Sequence, residues 1–249
     1  MKNCIDLKNK LAIVTGGTRG IGKAIGKVLL NAGAKVIITG KSPRDQKKIE
    51  DEFNSLKVIY FQCDFGNETS LSQFLKYIQD LDKIDILINN AGINKINMIP
   101  NIELEEYNEV IDINLKAPFL ITKAVSKLMI NQKGGRIVNI TSIWSSVSRT
   151  ERALYSMSKW GLAGLTKSTA IDLAEYNVLV NSVAPGFTLT ELTKSTNTKE
   201  ELNNLQEKIP MKRLAEPKEI ANLVLFLASE MNTYLTGQNI IIDGGYTSI

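Results

Sequence analysis

A chain of 249 residues with 43% hydrophobic and 22% charged residues can bury one sizeable core and does not read as disordered. Its net charge of +4 is modest and spread along the sequence, which argues against a nucleic-acid-binding protein. There is no histidine, and Cys4 and Cys63 lack CxxC spacing, so neither a metal site nor a disulfide framework is expected and a reducing compartment fits.

The N-terminal stretch "MKNCIDLKNKLAIVTGG" has no signal-peptide apolar region, and no later segment approaches the ~20 apolar residues of a membrane span. The expectation is a soluble, cytoplasmic protein with no membrane partner. A first strand, "LAIVT" (11–15), precedes a helical pattern over 21–32, and "KVIIT" (35–39) forms a second strand. "KVIYFQ" (57–62) leads into a helix over 68–80, and "IDILINN" (84–90) into helices over 103–113 and 116–131. "GRIVNIT" (135–141) leads into a helix over 153–175; "VLVNSVAP" (178–185), a helix over 217–229 and "NIIID" (239–243) complete the pattern. Near-continuous apolar strands between amphipathic helices predict a sheet covered on both faces. The fold class is therefore α/β: a single doubly wound Rossmann-type domain over 1–249, with a seven-stranded parallel sheet flanked by helices. The polar stretch 188–208 reads equally as a mobile lid or as a solvated insertion.

Gly16, Gly20 and Gly22 stand between the first strand and the first helix. Such a turn lets backbone approach a phosphate while the helix presents its N-terminal amides, which predicts a dinucleotide site. NAD sites place an acid at the end of the second strand, but here that end reads Thr39, Gly40, Lys41. Lys41, Arg19 and the Ser42 hydroxyl would welcome a 2′-phosphate, so NADP(H) is the predicted cofactor.

In "ALYSMSKWG" Tyr155 and Lys159 are four positions apart on one helix face. A phenol of pKa ~10 is a poor acid–base group at neutral pH. A nearby ammonium should bring that value down and activate it; the alternative is a half-buried aromatic beside a surface lysine. Ser142, thirteen residues upstream after a strand, favours catalysis.

TGGTRGIG, "NNAG" at 89–92, Asn114 in "INLKAPF", Ser142 in "NITS", Tyr155-x3-Lys159 and "APGFT" at 184–188 occur in one order. In that order they resemble the short-chain dehydrogenase/reductases over nearly the whole chain. Within that family the sequence is most similar to the 3-oxoacyl-[acyl-carrier-protein] reductases, including "GGRIVNITS" and "KRLAEPKEIANLVLFLAS". The resemblance implies an NADP(H)-dependent oxidoreductase that reduces a carbonyl to an alcohol. Tyr155 would be the proton donor, Ser142 would orient the substrate oxygen, and Asn114 would hold a water linking Lys159 to solvent. It also places Gly16, Thr18, Arg19, Gly20, Ile21, Gly22, Lys41, Ser42, Asp64, Phe65, Asn90, Ala91, Gly92, Tyr155, Lys159, Pro185, Gly186, Thr188 and Thr190 at the cofactor. Asp64 would bind the adenine amino group, although a turn-capping aspartate fits equally. A homotetramer is implied, with helices 103–131 and 153–175 and the last strand at its interfaces.

The substrate side departs from those relatives. Tyr176 stands where they carry an arginine for docking the acyl carrier protein, and Lys133 matches the other docking cation. In "IWSSVSRTERALY", Arg149 and Arg152 precede Tyr155 and could grip a carboxylate or phosphate, meet a neighbouring subunit's acids, or pair internally with Glu151. Trp144 offers either a flat apolar wall or ordinary packing. A 3-oxoacyl thioester is thus the first expectation, and a polar or anionic sugar or nucleotide-linked carbonyl compound the second. A non-catalytic cofactor sensor would not need the complete Ser–Tyr–Lys set.

Overall fold

Residues 5–196 and 198–248 are described by the computed structural model; Cys4, and Asn197 within the polar stretch, lie outside the described residues. The strands are β1 (Leu11–Val14), β2 (Lys35–Gly40), β3 (Val58–Gln62), β4 (Ile86–Asn89), β5 (Gly135–Ile140), β6 (Val178–Pro185) and β7 (Asn239–Ile242). They form one parallel sheet in the order β3-β2-β1-β4-β5-β6-β7. Each predicted strand is present, with its ends within two residues of the expected ones.

The helices on one face are α1 (Gly20–Asn31), α2 (Gln46–Phe53) and α9 (Pro217–Leu227); on the other they are α3 (Glu68–Gln79), α5 (Ala117–Gln132) and α6 (Ala153–Leu173). Successive strand residues divide between two cores, as a pleat of period two requires. Val14, Ile38, Ile88 and Val138 pack with Ile25 and Leu29 of α1 and Val224 of α9. Ile13, Ile37, Leu87 and Ile137 pack with Phe74 of α3, Val125 of α5 and Leu173 of α6. Val14 pairs with Ile38 on one side and Ile88 on the other, so the winding direction reverses at β1 and β4. The crevice beyond their C-terminal ends is where doubly wound sheets bind ligands.

Three stretches differ from the sequence expectation. Helix α2 forms within the basic stretch after β2, where Asp45 accepts the Lys48 amide and caps its start. The break expected between 113 and 116 is absent: α4 (Leu104–Ile111) continues into α5 through a π-helical turn, Asp112–Lys116, which carries Asn114. The polar stretch 188–208 contains α7 (Glu191–Thr196) and α8 (Lys199–Glu207). A reciprocal capping box starts α8: Thr198 Oγ1 accepts the Glu201 amide at 3.2 Å and the Glu201 carboxylate accepts the Thr198 amide at 2.7 Å. Among the described residues no helix is long and apolar enough to cross a membrane.

Candidate active site

The ends of β1 and β4 are clipped together by side chains. Thr15 Oγ1 accepts the Asn90 and Ala91 amides at 2.9 and 3.0 Å, while Asn90 Nδ2 donates to the Thr15 and Gly16 carbonyls. Gly16 adopts φ +64°, in the left-handed region. A Cβ on Gly22 would stand 2.3 Å from the Gly16 carbonyl oxygen and 2.4 Å from Asn90 Nδ2, so only glycine allows α1 to start this close to the turn. Arg19 leads into α1 with extended backbone and no side-chain cap, and the first turn carries no acid. The N-terminal amides of α1 are thus left to an anion.

The resulting cleft holds about 520 Å³ and is lined by Gly16, Thr18, Arg19, Gly20, Ile21, Gly22, Lys41, Ser42, Asp64, Phe65, Asn90, Ala91, Gly92 and Thr190. The structure therefore brings together most of the predicted cofactor residues, including Thr190, whose Cγ2 packs over Gly20. A glycine-walled cradle at a bare helix N-terminus fits the diphosphate of a dinucleotide. Pro185, Gly186 and Thr188 lie at and after the end of β6, outside that lining; the Gly186 amide donates to Ile242 and Thr188 bridges to Ala215.

The strand-end charges are arranged differently from the expectation. Lys41 Nζ pairs with Asp64 Oδ2 at 2.9 Å, so the two residues assigned to phosphate and adenine bind each other. That carboxylate, by hydrogen bond and charge, raises the Lys41 pKa. Arg44, which no motif singled out, also lines the cleft, and its Nη1 donates to Glu52 at 2.8 Å. Tyr60, Ile93 and Ile113 line it too and were missed. Strand pairing brings Tyr60 there with no local motif to mark it, whereas Ile93 and Ile113 adjoin Gly92 and Asn114 of motifs already noted.

The acid–base residues converge beyond β4 and β5. Lys159 is 3% exposed; its Nζ donates to the Ile140 carbonyl at 2.8 Å and lies 5.6 Å from the centroid of the Tyr155 ring. Burial lowers its pKa to about 8. Asn114 is fully buried: its Oδ1 accepts the Ile93 amide at 2.8 Å, and its Nδ2 donates to the Ile93 carbonyl and to Ser158. A Cβ on Gly92 would be 3.3 Å from Asn114 Oδ1 and 3.4 Å from Lys159 Nζ, which joins this group to the cleft. Ser142 follows β5 and caps a short 3-10 turn, accepting the Trp144 amide at 3.3 Å.

Tyr155 is half-buried beside Lys159. Burial raises the phenol pKa, and the opposing influences are a hydrogen bond with Ser142 and the charge of Arg152. The Lys159 ammonium is committed to the Ile140 carbonyl and sits over the ring. A phenol held in its neutral form suits a proton donor.

On the substrate side Trp144 is 7% exposed and packs edge-on against Phe187 and Tyr246, at 6.3 and 6.4 Å between centroids. Arg149 lies over the indole at 5.7 Å. Glu151 is exposed at φ +65°, and among the described residues no ion pair joins it to Arg149 or Arg152. Phe187, inside "APGFT", and Tyr246, near the end of the chain, were missed because nothing in the sequence shows that their rings meet Trp144. Lys133 and Tyr176 lie beside the starts of β5 and β6, at the opposite end of those strands from Ser142.

A family model described as enoyl-(acyl carrier protein) reductase matches residues 16–247. The 3-oxoacyl-[acyl-carrier-protein] reductase FabG of Aquifex aeolicus is 42% identical over 245 residues, 97% of this chain and 98% of that protein. The chain belongs to the short-chain dehydrogenase/reductase family. Solved members include a short-chain type dehydrogenase/reductase from Mycobacterium marinum, with TM-score 0.90 and 32% identity over 99% of this chain and 98% of that one. A gluconate 5-dehydrogenase from Burkholderia cenocepacia, solved with NADP and tartrate, has TM-score 0.89 and 28% identity over 98% and 97% of the two chains. Membership identifies the protein as an oxidoreductase, and gives the Ser142, Tyr155 and Lys159 arrangement a chemical context.

Proposed function

We propose that this protein is an NADPH-dependent reductase of 3-oxoacyl thioesters. The observation that carries the reading is the junction at Gly92, where the glycine-walled cleft meets Asn114 and Lys159 on the way to Tyr155. Bound NADPH would supply a hydride to the carbonyl carbon. Gly16, Gly20 and Gly22 give its phosphates room, with Arg19, Lys41 and Arg44 as the cations about the 2′-phosphate. Ser142 orients the carbonyl oxygen and Tyr155 delivers a proton to it, so that a ketone becomes a secondary alcohol. Lys159, with its pKa near 8, returns a proton to Tyr155 at close to neutral pH. Asn114 holds the Ile93 backbone beside that path. The resemblance to the Aquifex reductase supports the thioester as substrate.

Further parts belong to the same reading. Phe119, Met157 and Trp160 are 48%, 43% and 54% exposed on α5 and α6, which supports a homotetramer through those helices. A carrier protein approaching Tyr155 of one chain would not pass over Lys133 and Tyr176 of that chain, so a carrier contact would involve other residues or another subunit. A lid formed by the 188–208 stretch is part of the same reading, and the nearness of Thr190 to Gly20 supports it. A cytoplasmic location is supported by cysteines without pairing spacing.

NADPH oxidation with 3-oxohexanoyl-N-acetylcysteamine, beside a keto-sugar panel, tests the reading. Turnover of the thioester is expected; activity confined to the sugars would replace the substrate, and silence with all of them would contradict a reductase.

A further inference from the structure

Two arginines near the sheet are largely removed from solvent, and they are treated differently. Arg136 donates through Nη1 and Nη2 to the carbonyls of Gly135, Asn177 and Asn232 and so ties loops together, although its Nε is buried without a partner among the described residues. Arg152 begins α6 one turn before Tyr155 and is only 9% exposed, yet its Nη1 is buried with no hydrogen-bond partner among the described residues. An unpaired buried donor is costly, the more so when it is charged, so such groups are rarely kept without a use.

No ion pair joins Arg152 to a carboxylate among the described residues; Glu151, exposed and in a left-handed conformation that a glutamate seldom adopts, acts on it through charge alone. Arg149 brings a second positive charge, held over Trp144. Trp144, Phe187 and Tyr246 pack edge-on against one another beside Arg149. The charge of Arg152 also reaches the Tyr155 hydroxyl. An unpaired guanidinium therefore waits within reach of the group that protonates the substrate.

We infer that Arg152 is a specificity-determining residue that grips a carboxylate on the acyl part of the substrate, a few carbons from the carbonyl that Tyr155 protonates. The inference rests on the reductase reading and narrows it to 3-oxoacyl substrates whose chain carries its own carboxylate. A planar fork of N–H donors matches a carboxylate in two-point fashion. A phosphate on a carrier arm shares the anionic chemistry, but it lies many bonds from the reacting carbonyl, whereas Arg152 is one helical turn from Tyr155.

The test compares 3-oxohexanoyl-N-acetylcysteamine with 3-oxohexanedioyl-N-acetylcysteamine, equal in chain length and differing in the terminal carboxylate. The wild-type enzyme should prefer the dioyl substrate. Arg152→Gln should lower the dioyl-to-monoacyl ratio of kcat/KM by about tenfold or more, chiefly through KM, with Arg152→Lys in between. A ratio unchanged in Arg152→Gln, even with both activities reduced, overturns the inference and leaves Arg152 a structural role. An effect confined to coenzyme A thioesters, absent with N-acetylcysteamine, assigns the anion to the arm phosphate and overturns it as well. Calorimetric binding of the dioyl thioester to NADPH-loaded Tyr155→Phe protein, with and without Arg152→Gln, separates recognition from chemistry. Arginine-dependent binding without turnover by the wild type fails the reductase reading and keeps the anion site; turnover of the neutral thioester with arginine-independent binding does the reverse.

Discussion

Around Gly16 the polar groups satisfy one another at short range: Thr15 Oγ1 takes two amides, and Asn90 Nδ2 gives to two carbonyls. Across Lys159, the Arg152 Nη1 is buried without a partner, and Arg149 adds a like charge. The first region is a backbone mould, finished before any ligand arrives. The second is a set of side chains whose charge is unbalanced within the chain. A mould fixes how a common cofactor sits, whereas unbalanced side chains decide which substrate is accepted. The two regions should therefore fail differently when altered.

The largest effect is expected in the mould. Gly22→Ala drives a methyl group into the Gly16 carbonyl, where only backbone could yield. NADPH affinity measured by fluorescence should fall at least ~100-fold, in line with losing several backbone contacts to charged oxygens. Affinity within threefold of wild type would show that the turn is softer than its geometry.

A smaller effect belongs to the strand-end charges. Lys41→Asp removes a cation and sets an acid against Asp64, so the NADPH-to-NADH preference should drop by about tenfold. The change is limited because Arg19 and Arg44 remain in the cleft. An unchanged preference would remove Lys41 from cofactor selection.

The most gradual effect, spread over the range between two pKa values, concerns Lys159. Its folded pKa of about 8 lies below the ordinary lysine value of 10.5, so the unfolded chain binds the extra proton between those values. The penalty for burying the charge is fully present below about pH 8 and fades as pH rises towards 10.5. Wild-type stability relative to Lys159→Met should thus rise by about 3 kcal/mol across that window in urea unfolding. A difference that stays flat with pH would mean that the ammonium is not desolvated.

The two regions also differed in how far the sequence revealed them. Gly16, Gly20 and Gly22 carry their steric meaning in their spacing, and the strands show β-branched runs, so the fold and cleft could be read directly. Arg44 and Tyr60 reach the cleft through the way β2 and β3 pair and α2 packs, which no short motif records. The π-helical turn under Asn114 was hidden because periodicity does not distinguish a widened turn from a helix break. The polar composition of 188–208 concealed α8, although Thr198 and Glu201 already had capping-box spacing. Spacing placed Tyr155 and Lys159 on one face, but it could not show that the lysine would be bound to Ile140 and that burial would keep the phenol neutral.

The central claim is that the Tyr155 hydroxyl supplies the proton that completes reduction. Turnover of 3-oxohexanoyl-N-acetylcysteamine by Tyr155→Phe, measured with NADPH affinity on the same preparation, tests it most directly. A loss of roughly 10²–10⁴-fold in kcat, with NADPH binding within twofold of wild type, is the predicted result. Turnover within a few-fold of wild type by a correctly folded, NADPH-binding variant would contradict it.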